Sequence, residues 1–136
     1  MKTSCVFCDD FNTLELVYED DSALVALSDD WAVRGHAIVI ARRHVQNLSE
    51  LADAGRFLQV YLNAERVLLR LTGAERAVIT KLGIVVPHLH LHLYPVSASL
   101  DRAAVMDIIE GRTRVARDEA FVEAARSALD MNRPPE

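Results

Sequence analysis

The sequence lacks an excess of basic residues. Its 15 lysines and arginines are outnumbered by 20 aspartates and glutamates, which gives a formal net charge of −5 at pH 7. This balance argues against a nucleic-acid-binding protein that works through a broad basic surface, so we expect no nucleic-acid partner. It does not exclude a small anionic ligand, because a local site can be cationic inside an acidic protein.

Long apolar runs and abundant cysteine are also missing. No stretch reaches the ~18 apolar residues of a membrane span, and "MKTSCVFCDD" contains no apolar run long enough for a signal peptide. We therefore expect a cytoplasmic protein with no membrane partner. In a reducing compartment the only two cysteines, Cys5 and Cys8, indicate metal or redox chemistry rather than a structural disulfide.

The chain also shows no low-complexity segment, internal repeat or linker, so we expect residues 1–136 to form a single domain. A chain of this length buries roughly two thirds of the surface that its unfolded form exposes. Its 51% content of hydrophobic residues is sufficient for a core without disulfides. The organisation is therefore that of one compact unit.

Hydrophobic periodicity predicts an α+β chain. Short runs of alternating or β-branched residues predict five strands, at 13–20, 22–30, 35–44, 74–83 and 88–96. Their short polar junctions favour hairpins, and hence a mostly antiparallel sheet. Apolar residues at helical spacing predict one long helix from Ser49 to Leu71, capped by Ser49 and ended by Gly73. Two weaker helices, at about 100–110 and 117–130, form a C-terminal extension, and the "NRPPE" tail is expected to be frayed.

The segment "HLHLHL", residues 88–93, raises the main functional question. Because alternate side chains of a strand face opposite sides, His88, His90 and His92 share one face and the leucines share the other. The leucine face can be buried under the long helix. The histidine face must then meet solvent, a metal or a ligand, and simple surface polarity would be served equally well by commoner residues.

Two chemical interpretations of these histidines remain open from the pattern alone. They could bind a metal, with His36 as a further ligand, or form a nucleophilic site in which one imidazole attacks while its neighbours orient it. The first and last of the three lie roughly 13 Å apart along a strand. This distance disfavours a three-ligand zinc site built from this strand alone, because zinc–nitrogen bonds are near 2 Å, although two neighbours of the same face could share one ion.

The pair Cys5 and Cys8 permits a redox site, half of a zinc site, or coincidence. A thioredoxin-like redox motif should open a helix, and "CVFCDDFNT" contains no helix start of the required length. A structural zinc site would need two further ligands from elsewhere in the chain.

At this point the residues resemble the histidine triad (HIT) family. "HLHLHLYP" is similar to its His-φ-His-φ-His-φ-φ signature, where φ is apolar, and "KLGIVVPHLHLHL" is similar to the form found in many bacterial members. The "GH" at Gly35 and His36, the later His44 and the "CVFC" start follow the same order as in zinc-containing members. The resemblance covers residues 5–96, about two thirds of the chain. It implies a HIT-like fold and, usually, a homodimer.

The resemblance also implies a chemistry at the α-phosphate of a purine nucleotide or dinucleotide. The middle histidine, His90, corresponds to the nucleophile that forms a covalent nucleotidyl intermediate, later resolved by water or another acceptor. His92 corresponds to the histidine that hydrogen-bonds the phosphate. His36 is similar to the histidine that supports the site from a neighbouring strand. The class implied is a dinucleoside polyphosphate or nucleoside phosphoramidate hydrolase, or a nucleotidyl transferase.

In zinc-containing members of the family, two histidines complete the site begun by the cysteines. The corresponding residues here are His44, after the third strand, and His88, the first of the triad. With Cys5 and Cys8 they would form a closed Cys₂His₂ set, which is typical of structural zinc. The resemblance thus separates the triad into one metal ligand and two residues for chemistry.

The residues expected to contact the substrate depart from the family pattern. Ile84 and Val85 stand where members commonly carry polar residues that bind phosphate or leaving group. Ser28 aligns with the residue that holds the ribose hydroxyls, and the adjacent Asp29 could replace that contact, so we assign both to substrate binding.

The basic residue that often follows the triad is absent; the segment offers Ser97 and Ser99, which we assign to substrate binding, and later Arg102. Because of these departures, a non-catalytic nucleotide-binding or signalling dimer is the alternative function. A metallohydrolase with His36, His90 and His92 as ligands is a third hypothesis. It is weakened because the triad segment contains no carboxylate to serve as a base.

Overall fold

A computed structural model describes residues 5–9, 14–28 and 31–135 of the chain. Within these residues five strands form one antiparallel sheet, in the order β1-β2-β3-β5-β4. The strands are β1 (Glu15–Glu19), β2 (Ala23–Leu27), β3 (Ala37–Ala41), β4 (Arg76–Thr80) and β5 (His90–Val96). All five lie inside the ranges predicted from the sequence, and the predicted antiparallel α+β architecture is confirmed.

Four α-helices accompany the sheet in the described part of the chain. They are α1 (Val6–Asp9), α2 (Ala54–Thr72), α3 (Arg102–Ile109) and α4 (Glu119–Met131), and a short 3₁₀ turn, Leu48–Glu50, precedes α2. The predicted long helix and two C-terminal helices are therefore present. In the described ranges, no helix combines the length and the apolar character that crossing a membrane requires.

Helices α2 and α4 cover one face of the sheet. Phe57, Val60 and Leu68 of α2 pack with Phe121 and Leu129 of α4 in the largest hydrophobic cluster. The leucines of the triad segment join the same cluster, as the alternation predicted: Leu89, Leu91 and Leu93. Burial of each such side chain contributes about 1.5–3 kcal/mol, so this face fixes which way the histidines between them must point.

The start of α2 differs from the prediction. Ser49 lies in the 3₁₀ turn and does not cap the long helix; Asp53 does, and its side-chain oxygen accepts a hydrogen bond from the N–H of Arg56 at 3.0 Å. An aspartate competes well with serine for this role, so a second capping residue four positions downstream overrides the first. The predicted end is confirmed: Gly73 is left-handed, with a φ of 75°.

Two further expectations are corrected at the strand and chain ends. Strand β5 begins at His90, so His88 precedes the paired strand instead of opening it. The tail through residue 135 is packed rather than frayed: Pro134 is buried, Arg133 donates to the Glu19 carbonyl oxygen at 3.1 Å, and Arg56 donates to the carbonyl oxygen of Pro135. These hydrogen bonds tie the segment after α4 to β1 and α2.

Candidate functional site

Four predicted metal ligands converge at one end of the sheet. The side-chain donor atoms of Cys5, Cys8, His44 and His88 all lie within 4.8 Å of one another. Nδ1 of His44 lies 3.1 Å from both Cys8 Sγ and His88 Nδ1, and His88 Nδ1 lies 3.4 Å from each sulfur. A tetrahedral zinc, with bonds of ~2.0 Å to nitrogen and ~2.3 Å to sulfur, would place its ligand atoms roughly 3.3–3.8 Å apart. The donor set and these four separations are therefore compatible with a zinc ion.

The buried imidazole of His88 has a fixed tautomer. Its Nε2 lies 2.7 Å from the carbonyl oxygen of Ala41, on the neighbouring strand. Since a carbonyl oxygen only accepts hydrogen bonds, Nε2 carries the proton and Nδ1 presents its lone pair to the cluster. Burial, together with repulsion from His44 and His90, lowers the pKa of His88, which favours the neutral, metal-binding form.

The half-buried imidazole of His90 is oriented by the backbone just before it. Its Nδ1 lies 2.6 Å from the carbonyl oxygen of His88 and must therefore donate the proton of that contact. In the neutral ring this leaves a lone pair on Nε2, the atom that could attack an electrophile. The ring of Phe7, between the two cysteines, packs against the His90 ring with centroids 4.8 Å apart.

His92 and the buried His36 form a hydrogen-bonded pair. Nε2 of His36 lies 3.0 Å from Nδ1 of His92, and Tyr94 stacks on the His36 ring at 4.3 Å. Burial, and secondarily repulsion from His90, lowers the pKa of His92 to about 4. His92 is consequently neutral at physiological pH and offers a neutral N–H donor or a lone pair on its remaining nitrogen.

Strand pairing brings these histidines from distant parts of the sequence into one row. His92 pairs with Ile38 of β3, and His36 precedes that strand by one residue. Gly35 allows the turn before His36 to pack tightly against α2, because its φ is +83° and an added Cβ would lie 2.9 Å from the Thr72 side chain. The predicted grouping of His36, His90 and His92 is thus present in the structure.

A cavity of about 510 Å³ adjoins His90 and His92. Its described lining is mostly apolar and includes these residues: Phe7, Ile38, Thr80, Leu82, Gly83, Ile84, Val85, Val86, Tyr94 and Ile109. The side chains of Ile84 and Val85 are 81% and 91% exposed. The two apolar residues that depart from the family pattern therefore form part of the rim of the cavity.

The other predicted substrate residues lie at different distances from this cavity. Ser28 follows β2, and its N–H donates to the carbonyl oxygen of His36 at 3.1 Å. Ser97 and Ser99 follow β5, are exposed, and bond to each other at 2.8 Å. None of these three serines belongs to the cavity lining as it is formed by the described residues. Asp29 lies outside the described residues.

Among the residues of the cavity wall that sequence reasoning missed, three differ in the signal that the sequence carries. Tyr94 continues the same-face alternation of His90 and His92, so that pattern could have revealed it. Phe7 is adjacent to a cysteine, which is a weaker signal. Thr80 gives no signal in the sequence, because it faces the site only through its pairing with His92 across β4 and β5.

The lowered pKa of His92 predicts a pH-dependent stability. Between about pH 6.5 and pH 4 the unfolded chain binds a proton at His92 that the folded protein does not, so the free energy of unfolding falls as the pH decreases through that window. Urea unfolding at pH 7.5 and pH 5.0 measures the loss. We expect His92 to account for about 1 kcal/mol or more of it at pH 5.

The matched control is His92→Gln, which retains a polar side chain of similar reach but does not titrate. Its stability should fall less between the two pH values than that of the unsubstituted protein. Equal losses in both proteins would show that His92 binds its proton as readily in the folded state as in the unfolded chain.

Comparison with known proteins agrees with this geometry. The family model described as HIT domain matches residues 12–99. An uncharacterised HIT-like protein of Methanocaldococcus jannaschii is 27% identical over 100 residues, which cover 67% of this chain and 78% of that protein. Among solved structures, a hypothetical histidine triad nucleotide-binding protein from Sulfolobus tokodaii shares the fold, with a TM-score of 0.72, 20% identity and 93% coverage of both chains.

A zinc-bound histidine triad family protein from Mycobacterium smegmatis shares the fold as well, with a TM-score of 0.67, 24% identity and 95% coverage of both chains. These likenesses show the predicted HIT-like fold. Because the family model spans well over half of the sequence, and its match includes the whole row of histidines, this chain belongs to the HIT domain family.

Proposed function

We propose that the protein is a nucleotide hydrolase or nucleotidyl transferase that acts at the α-phosphate through His90. The observation that carries this proposal is the hydrogen bond from His90 Nδ1 to the carbonyl oxygen of His88, at 2.6 Å. It leaves the Nε2 lone pair of a neutral imidazole at the edge of the cavity. Membership of the HIT family supports a nucleotide as the ligand, and the similarity to the Sulfolobus protein, a hypothetical nucleotide-binding protein, is in line with it.

The proposed reaction has two displacement steps. In the first, the Nε2 lone pair attacks the α-phosphorus, an Nε2–P bond forms, and the bond from phosphorus to the leaving group breaks, with its electron pair going to the leaving group. In the second, water attacks the same phosphorus, an O–P bond forms, the electron pair of the Nε2–P bond returns to Nε2 of His90, and the attacking water releases one proton to the solvent. A different acceptor in place of water gives the transferase reaction.

His92 and His36 have supporting roles in this proposal. If the Nε2–H of His36 donates a hydrogen bond to Nδ1 of His92, across their 3.0 Å separation, Nε2 of the neutral His92 ring carries a proton. This N–H can then donate a hydrogen bond to a phosphate oxygen. Since the pKa of His92 is about 4, this donor is neutral at physiological pH and keeps its tautomer through its bond to His36. Charge on the phosphate is then stabilised by a donor already held in place.

The cavity supports a purine nucleotide or dinucleotide as substrate. Its volume of about 510 Å³ falls in the usual range of small-molecule sites, and its apolar walls suit a flat aromatic base. Ser28 lies next to His36 at the end of β2, where we propose that it and Asp29 contact the ribose. Ser97 and Ser99 follow the end of β5, and we propose that they contact a part of the substrate farther from His90.

The nucleophile assignment is tested by His90→Ala. We expect kcat for the hydrolysis of a dinucleoside polyphosphate or a nucleoside phosphoramidate to fall about a thousandfold or more. In the unsubstituted protein, rapid quenching followed by mass spectrometry should find a nucleotidyl adduct on His90. An unchanged circular dichroism spectrum and melting temperature of the variant serve as the control for folding.

Two other outcomes would redirect the assignment. Full activity in His90→Ala would remove His90 from the chemistry. Calorimetric binding of AMP without turnover by the unsubstituted protein would favour the non-catalytic nucleotide-binding alternative, for which the exposed apolar rim formed by Ile84 and Val85 is the supporting observation.

We also propose a structural zinc ion held by Cys5, Cys8, His44 and His88. Support comes from four separations of 3.1–3.4 Å among the ligand atoms and from the tautomer of His88, whose Nδ1 points its lone pair into the cluster. The zinc-bound description of the Mycobacterium protein adds to this support. The ion would crosslink the segment of helix α1, the loop after β3 and the residues just before β5.

Metal analysis tests the zinc site directly. We expect near one zinc per chain in the unsubstituted protein and a large loss in Cys5→Ser, together with a melting temperature lower by roughly 5 °C or more, because zinc binding stabilises the folded state. His92→Gln is the matched control and should keep its zinc. Undiminished zinc in Cys5→Ser would contradict the ligand set, and loss of a second metal in His92→Gln would support the metallohydrolase hypothesis.

We propose that the protein forms a homodimer through the β4 edge of the sheet. Strand β4 has a partner on one side only among the described residues, and its Ile79 is 45% exposed. Leu58 and Leu62, one turn apart on α2, are 41% and 47% exposed, and α2 contacts β4. An open strand edge, next to a helix that carries exposed leucines, is suited to pairing with a second copy.

Analytical ultracentrifugation of Leu62→Glu tests the dimer. A buried charge at this interface should convert the dimer to a monomer at micromolar protein concentration. Met131→Glu is the control, because Met131 at the end of α4 is also exposed, at 85%, but does not belong to the proposed interface. Dissociation by both variants, or by neither, would contradict the assignment of the interface to α2 and β4.

A further inference from the structure

A second, smaller cleft adjoins His90. Its volume is about 110 Å³, and it shares His90, Leu82 and Gly83 with the larger cavity. Unlike that cavity it has polar walls, because Gln46, Asn47 and Lys81 complete its lining together with Pro87, His88 and Leu89. We call it the Lys81 cleft. The candidate nucleophile therefore lies where a cavity with mostly apolar walls meets a small polar one.

Lys81 is held toward this cleft by a chain of hydrogen bonds. Its ammonium group donates to Oδ1 of Asn47 at 3.3 Å. The Asn47 amide is itself oriented by Glu50, whose carboxylate accepts from both the side-chain Nδ2, at 3.1 Å, and the backbone N–H, at 2.9 Å. Because an ammonium group has three N–H donors, Lys81 keeps two for a ligand.

The charge balance of the cleft favours an anion. Among the described residues no carboxylate lies within ion-pair distance of Lys81, and its lining contains no aspartate or glutamate. The nearby Cys₂His₂ cluster would be neutral overall with zinc bound, since two thiolates balance a divalent ion. Within the described ranges, the carboxylate linked to Lys81 is that of Glu50, which acts through Asn47.

We propose that the Lys81 cleft binds a phosphate group of the leaving group, next to the phosphorus that His90 attacks. This inference rests on the proposed function and narrows its substrate class to nucleotides whose leaving group is itself a phosphate or polyphosphate. Dinucleoside polyphosphates and nucleoside polyphosphates meet this requirement. Nucleoside phosphoramidates, whose leaving group is an amine, do not place a negative charge in the cleft.

The cleft also accounts for a feature of the larger cavity. Ile84 and Val85 offer no side-chain donor at its rim, although a polyphosphate leaving group needs donors as it departs. When the bond from the α-phosphorus to the bridging oxygen breaks, the electron pair stays on that oxygen, and negative charge grows on the departing phosphate. A lysine ammonium group and the Gln46 amide next to His90 are placed to stabilise that charge.

A binding measurement tests the cleft without turnover. Calorimetry in the His90→Ala background compares ATP with AMP, which lacks the additional phosphates, with and without Lys81→Ala. A charge-assisted hydrogen bond corresponds to roughly a tenfold or larger change in affinity. We expect Lys81→Ala to weaken ATP binding at least tenfold more than AMP binding, and Lys81→Arg to retain most of the ATP affinity.

Arg70→Ala is the matched control, because it removes one exposed positive charge from the last turn of α2, outside both cavities. Equal weakening of ATP and AMP by Lys81→Ala, or an equal effect of Arg70→Ala on ATP, would overturn the assignment of a leaving-group site. Failure of both nucleotides to bind at all would overturn it together with the proposed function.

Steady-state kinetics separates the two proposals. We expect Lys81→Ala to lower the ratio of kcat/KM for a dinucleoside tetraphosphate to kcat/KM for a nucleoside phosphoramidate at least tenfold, and Lys81→Arg to restore most of it. If the ratio is unchanged while both reactions still depend on His90, the assignment of the Lys81 cleft to the leaving group is wrong and the proposed function is retained. Activity that survives in His90→Ala would instead contradict the nucleophile.

Discussion

His88 connects the metal-ligand cluster to the cavity, through its side chain and its backbone carbonyl group. Its imidazole donates through Nε2 to Ala41 on the neighbouring strand, while its carbonyl oxygen accepts the Nδ1 proton of His90. The first contact turns the His88 lone pair toward the cysteines, and the second turns the His90 lone pair toward the cavity. Both tautomers are therefore set by backbone oxygens, which cannot donate in return, so neither ring can reverse its role without losing a buried hydrogen bond.

Burial favours the neutral form of two histidines in the row. His88 and His92 both have lowered pKa values, in each case mainly because the charged form would be desolvated. A row of positively charged imidazoles at close spacing would repel itself and destabilise the strand. Neutral rings joined by directed hydrogen bonds avoid that cost and keep lone pairs available, which is the condition for both metal binding and nucleophilic attack.

Much of this arrangement follows from the sequence by simple periodicity. The alternation in residues 88–93 predicted the buried leucine face and the histidine face, since a strand with one side under a helix allows only one orientation. The cap at Asp53 was missed because two capping residues compete within five positions, and local spacing does not decide between them. Thr80 and the Lys81 cleft depend on pairing between β4 and β5 and on the path of a loop, so no local pattern could reveal them.

The metal cluster and the chemical site are joined by side chains as well as by His88. Phe7 sits in α1 between two proposed metal ligands, contacts the rings of both His88 and His90, and lines the larger cavity. Helix α1 has only four residues, too few to be stable by itself. Its position must therefore come from tertiary contacts, of which the cluster is the strongest candidate once an ion crosslinks it. A wall of the larger cavity then depends on the cluster, although none of the four cluster ligands lines that cavity.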